Sequence, residues 1–365
     1  LFHGPTLAFK DVAMQLLGRM MDHVLKAQNR RATIVGATSG DTGAAAIEAF
    51  RGLEQVDVFI MYPHNRVSDV QRRQMTTVEG ENIHTIALEG TFDDCQGILK
   101  GLFNNHSFRD SMGLSGVNSI NWARVVAQIV YYFTSAVVLG GPHRPVSFTV
   151  PTGNFGDILA GYVAKRMGLP INRLVIATNE NDILARTLSD GSYEVRGVHA
   201  TQSPSMDIQV SSNFERLMFD AGGRDAAKIR ALMASLAQSG RFELPADMLT
   251  KITDEFDAYR TGETGTAKEM ARVFSECGML IDPHTAVAVH AARKALAHDP
   301  STPMVALSTA HPAKFGAAVE KATGRKAELP AHLAGIMDKK ERFTVLANDQ
   351  AKVEAFVRER ARAGQ

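Results

Sequence analysis

The chain of 365 residues has two cysteines, one tryptophan and almost no surplus of charge: 40 lysines and arginines stand against 39 aspartates and glutamates, a formal net charge of +1. Each shortage excludes something. Cys95 and Cys277 lie far apart with no second thiol at ligand spacing, so neither a disulfide framework nor a thiolate metal cluster is expected, and free thiols fit a reducing compartment. The 12 histidines include no tight pair at metal spacing, so no metal site is expected. Near-neutral charge gives no long-range pull on nucleic acid or an acidic membrane, so any anion must be gripped by local groups. The most apolar run, around 129–139, is too short to span a bilayer. There is no fixed-period repeat and no low-complexity tract. With 45% hydrophobic and 22% charged residues, the expectation is an ordinary cytosolic enzyme of one very large domain or two of common size.

What is present is an alternation. Val12, Ala13, Leu16, Leu17, Met20, Met21, Val24 and Leu25 recur at helical spacing and predict a core-facing helix over 12–25. Strands are predicted at 32–35, 56–63 and 83–88, and Thr91 with Asp94 resembles a capping box for the helix that follows. A long apolar helix is predicted over 122–139, ending at Gly140 and Gly141, then strands at 146–150, 173–178 and 304–309. Residues 214–297 read as mostly helical, and the segment from Glu328 reads as a polar appendage. Strands alternating with helices indicate an α/β fold of open, mostly parallel twisted sheets with helices on both faces.

Several segments are candidates for chemistry. Lys10 opens the first apolar helix, with Phe9 beside it and Asp11 in the first turn; partial desolvation would favour the neutral amine and attack on a carbonyl, against the plainer reading of a surface lysine. The turn TSGDTG (38–43) links a strand to a helix and aims backbone N–H groups at one point, joined by the hydroxyls of Thr38, Ser39 and Thr42. Ala44 follows Gly43 where a nucleotide-triphosphate loop needs lysine, and the dinucleotide glycine spacing fails, which leaves a small-anion site or a structural turn. PTGNFGD (151–157) is a second turn of the same build. In NSINWAR (118–124), Ser119, Asn121 and Arg124 precede the long helix, and Arg124 offers a fork to a phosphate or carboxylate unless the segment is simply a capped helix start. STAHPAK (308–314) ends a strand with hydroxyls and a histidine.

Taken as a set and in this order, the reactive lysine, TSGDTG, NSINWAR, GNFGD and STAHPAK resemble the threonine synthases of the bacterial and fungal type, pyridoxal-phosphate (PLP) enzymes that share the tryptophan-synthase β-subunit fold. The resemblance runs from Leu1 to Phe315 and includes ATNENDIL (177–184) and SPSMDIQVSSNFERL (203–217). It implies conversion of O-phosphohomoserine and water into threonine and phosphate. It implies that Lys10 forms the Schiff base with PLP, and that Gly153, Asn154, Phe155, Gly156 and Asp157 hold the cofactor phosphate. By the same resemblance Thr38, Ser39 and Thr42 bind the substrate carboxylate, and Asp41 reaches the cofactor 3′-oxygen. Ser119, Asn121 and Arg124 surround the substrate phosphate, and Thr309 lies beside the pyridine nitrogen. The expected partners are this small substrate and no nucleic acid, membrane or metal, in a monomer or homodimer. The expected division is a larger PLP domain from 1–26 and 140–327, a smaller domain over 27–139 and a C-terminal extension over 328–365. Because Lys10 lies nine residues after Leu1, an upstream segment is expected as well.

Overall fold

The computed structural model describes residues 1–363. These fall into two units, Leu1–Ala123 with the segment from Glu328 onward, and Arg124–Ala327. In unit 1, strands β1 (Ala32–Ala37), β2 (Val56–Pro63), β3 (Ile83–Glu89), β4 (Leu114–Ser115) and β11 (Thr344–Ala347) form one sheet in the order β11-β3-β2-β1-β4. All of its pairings are parallel. β2 is buried from end to end, which is why it reads as a continuous apolar run rather than an alternating one. The unit's helices are α1 (Lys10–Ala27), α2 (Asp41–Phe50), α3 (Asp69–Thr76), α4 (Phe92–Asn104), α5 (His106–Ser111) and α15 (Gln350–Arg360). The capping box ahead of α4 forms as expected, with Asp94 accepting from Thr91 N and Thr91 Oγ1 accepting from Asp94 N.

Helix α1 departs from its expected stripe. Met14 and Leu17 enter the core with Ala44–Ala46 and Ile47 of α2, but Val12, Leu16, Met20 and Val24 are 39–49% exposed. The apolar arc is wider than the face α2 can cover. The two helices approach so closely at Gly18 that a Cβ there would lie 2.6 Å from Ala49 O, and this packing puts α1 in unit 1 rather than in the larger domain expected for residues 1–26.

The segment from Glu328 is not an appendage. β11 extends the sheet alongside β3, and Phe356 of α15 packs edge-on against Phe59 and His84, at 6.2 and 6.4 Å between ring centres. Burial in this cluster pushes the His84 imidazole below its ordinary pKa. Asp57, buried within β2, accepts from Arg362 N and Nε, both at 2.7 Å. A carboxylate buried in a core strand needs such a partner, and it comes from residues that look merely polar in the sequence.

In unit 2, β5 (Val146–Pro151), β6 (Ile171–Thr178), β9 (Phe256–Arg260) and β10 (Met304–Ala306) form a parallel sheet in the order β10-β5-β6-β9, and β7 (Ser192–Glu194) pairs antiparallel with β8 (Arg241–Glu243). Its helices are α6 (Trp122–Val138), which begins at the unit boundary, α7 (Gly156–Arg166), α8 (Ile183–Asp190), α9 (Phe214–Ala221), α10 (Ala226–Ser239), α11 (Ala246–Thr253), α12 (Glu263–Cys277), α13 (Pro283–His298) and α14 (Gly316–Thr323). The stretch 214–297 is mostly helical as expected, with the short β8 and β9 between its helices, while β10 is three residues long rather than six. α6 belongs with unit 2 because Tyr132 packs on Phe148 of β5, 4.9 Å between ring centres. Among the described residues no helix is long and apolar enough to cross a membrane, and no group of three or more His, Cys, Asp or Glu is placed to hold a metal ion.

If the C-terminal helix is part of the unit 1 core, Phe356→Ala should cost about 3 kcal/mol of stability in urea unfolding. A loss below about 1 kcal/mol, the level of an ordinary surface change, would return the segment to the status of an appendage.

Candidate active site

The first cluster is built where β1 gives way to α2. The chain turns through 38–40, and Gly40 takes a φ of 132° that an L side chain rarely adopts. Thr38 Oγ1 accepts from Gly40 N at 3.0 Å and Gly43 N at 2.9 Å, so one buried hydroxyl both shapes the turn and caps the helix. Asp41 is the first residue of α2, where a carboxylate is favoured by the helix dipole. Lys10, the first residue of α1, brings its Nζ to 3.4 Å from Asp41 Oδ2, with the two side chains 11% and 5% exposed. The ammonium also lies 5.2 Å from the centre of the Phe9 ring. The loop leading to the lysine is tied down, because Thr6 N and Oγ1 both donate to the Asp11 carboxylate.

Ser39 and Thr42 are half-buried on the same turn. Ser119 and Asn121, also half-buried, follow β4, which lies parallel beside β1, so both loops sit at the carboxyl edge of one sheet. Asn121 Oδ1 accepts from Ala123 N at 3.0 Å and thereby caps α6, while its Nδ2 makes only a long contact of 3.5 Å to Gly116 O.

The second cluster repeats the design in unit 2. β5 ends, the chain turns through 152–155, and α7 begins at Gly156. Phe155 is left-handed, with φ 62°, because its ring is buried against Phe214 and Phe256. No side chain at that position caps α7. Gly153 O accepts from Ser211 Oγ at 2.7 Å, and Asn154 O accepts from Asn213 N and Nδ2 at 3.1 and 3.0 Å. Asn154 Oδ1 accepts from Ser212 Oγ at 3.1 Å. Segment 211–213 therefore holds the turn from its carbonyl side.

Asp157 Oδ1 accepts from the hydroxyls of Tyr131 and Tyr132 at 2.6 and 2.8 Å, and burial together with that carboxylate raises both phenol pKa values well above their usual range. Thr309 is buried just past β10, which runs parallel beside β5, so it shares the carboxyl edge with the turn. Arg124 lies in the first turn of α6 with 3% exposure; burial pushes its guanidinium down to about 10, which leaves it charged at neutral pH. In each unit the candidate residues thus gather at the carboxyl ends of parallel strands, where ligands of open α/β sheets bind.

In unit 1 the largely buried Lys10 amine suits reaction with a carbonyl, and in unit 2 the α7 start, where Phe155 provides no side-chain cap, suits a phosphate. The comparisons with known proteins agree. Residues 1–310 match the family of pyridoxal-phosphate dependent enzymes, and residues 285–357 match the threonine synthase C-terminal family. A threonine synthase of Pseudomonas aeruginosa is 54% identical over 366 residues, which span all of this chain and 78% of that protein. The crystal structure of PLP-bound threonine synthase from Brucella melitensis superposes with a TM-score of 0.96 at 60% identity, covering 100% of this chain and 78% of that one. The yeast threonine synthase structure gives 0.92 at 40% identity, covering 99% and 77%. This chain belongs to the threonine synthase family.

Several further residues bond to the candidate residues of this threonine synthase family member. Gln71 of α3 donates its amide to Asp41 Oδ1 at 2.9 Å, and Gln74, three residues on, donates to Thr6 O at 3.0 Å. Ser68 and Gln71 stand at capping-box spacing, which was the available signal for α3. Tyr131 and Tyr132 lie within a helix that reads as apolar, but a buried phenol usually requires a hydrogen-bond partner, and theirs is Asp157. The SSN run at 211–213 has its physical reason in the turn it holds.

Thr38 gives a direct test of the turn. Thr38→Val removes the acceptor of two buried amides and should cost about 2 kcal/mol in urea unfolding, whereas Thr38→Ser, which keeps the hydroxyl, should cost clearly less. Equal losses would mean that the hydroxyl's two bonds contribute no more than the packing of the methyl group.

Proposed function

We propose that these residues carry the threonine synthase reaction, the conversion of O-phosphohomoserine and water into threonine and phosphate, with Lys10 as the catalytic base. The observation that supports this most directly is the Lys10 amine, largely withdrawn from water and 3.4 Å from Asp41 at the head of α2. PLP, when bound, supplies an aldehyde and an electron-accepting ring that stabilises negative charge at the substrate α-carbon. Lys10 would hold it covalently at rest and, once released, would take the proton from the substrate α-carbon and deliver protons at the β-carbon. Asp41 keeps that amine oriented and stabilises its charged form.

The backbone of 153–156 and the start of α7 would hold the cofactor phosphate. Asp157 contributes differently from its neighbours: a carboxylate repels phosphate, and its bonds from Tyr131 and Tyr132 fix the helix start on α6. Thr309 would meet the ring nitrogen with a hydroxyl too weakly acidic to protonate it. Thr38, Ser39 and Thr42 would bind the substrate carboxylate. Thr38 Oγ1 already accepts two amides, so its share is a donated hydrogen. Ser119, the Nδ2 of Asn121 and Arg124 would hold the phosphate that leaves. A buried guanidinium carries a desolvation cost that such an anion offsets. Free thiols and the family's small-molecule chemistry fit a cytoplasmic setting.

Lys10→Ala should abolish the visible absorbance of the PLP-loaded protein and lower phosphate release from O-phosphohomoserine by ~10³-fold or more. A visible band that survives the substitution, or a wild-type protein that releases ammonia rather than phosphate, would overturn the reading. Arg124→Ala should weaken O-phosphohomoserine ~10–100-fold, the worth of one charge-assisted bond, and weaken a non-phosphorylated amino acid far less. Equal losses for both ligands would remove Arg124 from the phosphate site.

A further inference from the structure

We infer that Gln71 is a positioning residue for this reaction: its side-chain amide holds Asp41 as an ionised carboxylate, turned with Oδ2 toward the Lys10 amine. The argument rests on which atoms can donate. Ser68 N can only donate, and it lies 3.3 Å from Gln71 Oε1, with Ser68 Oγ donating to the same oxygen at 3.0 Å. The amide oxygen therefore faces Ser68, and the amide nitrogen is left to face Asp41 Oδ1 at 2.9 Å. An N–H donor at Oδ1 and the lysine donor at Oδ2 leave both oxygens accepting, which is the pattern of a carboxylate rather than a carboxylic acid.

The amide is also held sterically. Gln71 is 3% exposed, and a Cβ on Gly40 would lie 2.5–2.8 Å from its amide atoms, so the left-handed glycine of the anion turn is the surface on which it rests. Gln74, from the same face of α3, secures the loop just before Lys10 through Thr6 O. One short helix thereby sets the carboxylate with one residue and the approach to the amine with another. Neighbouring charges have other engagements: Asp11 accepts from Thr6, and Arg72 pairs with Asp69 and Glu341.

The inference rests on the reading of Lys10 as the cofactor-bearing residue, and its test separates the two. The measurement is the pH midpoint of the visible absorbance of the PLP-loaded protein, with circular dichroism as the check on folding. Gln71→Met removes the donor that turns Oδ2 toward the lysine nitrogen, so the carboxylate is free to rotate away and its attraction for the protonated nitrogen weakens; the midpoint should fall by ~1 pH unit. Gln71→Glu adds a second carboxylate once ionised and should move the midpoint upward instead. Ser68→Ala removes the helix cap but keeps both Ser68 N and the Gln71 amide, and should lower stability with little change in midpoint. Opposite shifts in the two Gln71 variants are something a purely structural cap would not produce. Folded Gln71 variants that titrate like the wild type, or a Ser68→Ala shift as large as that of Gln71→Met, would reduce Gln71 to a helix cap. A band that persists in Lys10→Ala would instead remove the underlying reading; a band lost there yet unmoved in Gln71→Met would remove only the role of Gln71.

Discussion

An ammonium and a carboxylate withdrawn from water together, Lys10 and Asp41, impose the main constraint on unit 1. Each loses hydration on burial, and their attraction offsets that loss only when the geometry is held and the remaining polar atoms are satisfied. The surrounding elements supply those conditions. β1 delivers the turn, Thr38 shapes it, and the start of α2 adds a favourable dipole for Asp41. The loop before α1 is tied through Asp11, and α3 sends in two glutamines. Much of the local structure exists so that this pair can be both buried and fixed.

The same economy of charge would govern the proposed anion binding. A chain with a net charge of +1 has no general field to concentrate phosphates, so recognition falls to oriented amides, hydroxyls and a very few cations. Both units use a strand, a glycine-bearing turn and a helix start. In unit 2 the turn is held from its carbonyl side by 211–213 and from α6 by two phenols on Asp157, which keeps an acid at a helix start without leaving it turned loose toward an anion. Arg124 adds a cation that is costly to bury and would, on the proposed reading, meet a ligand of opposite sign.

Much of this was legible in the sequence where a signal was local. A strand run, a glycine turn and a helix start announce themselves within about ten residues, and so do β2 and the Thr91–Asp94 box. What escaped depended on distant partners. Gln71 looks like one polar residue on a polar helix until Asp41, thirty positions away, is seen beside it. Asp57 reads as an anomaly in a strand until Arg362 arrives. The four-residue β11 is too short for any pattern, and periodicity alone did not tell which flank of α1 turns inward, because its apolar arc is wider than α2.

The edge strand β11 has a consequence for how the chain is made. Its partner β3 ends at Glu89, so more than two hundred residues, the whole of unit 2 among them, are synthesised before the sheet that carries the lysine's turn can gain its last strand. Chains fold domain by domain as they emerge, and pairings between distant segments form late. The sheet begun before unit 2 is therefore finished after it, and Lys10 and Asp41 have their complete sheet beneath them only once β11 has emerged.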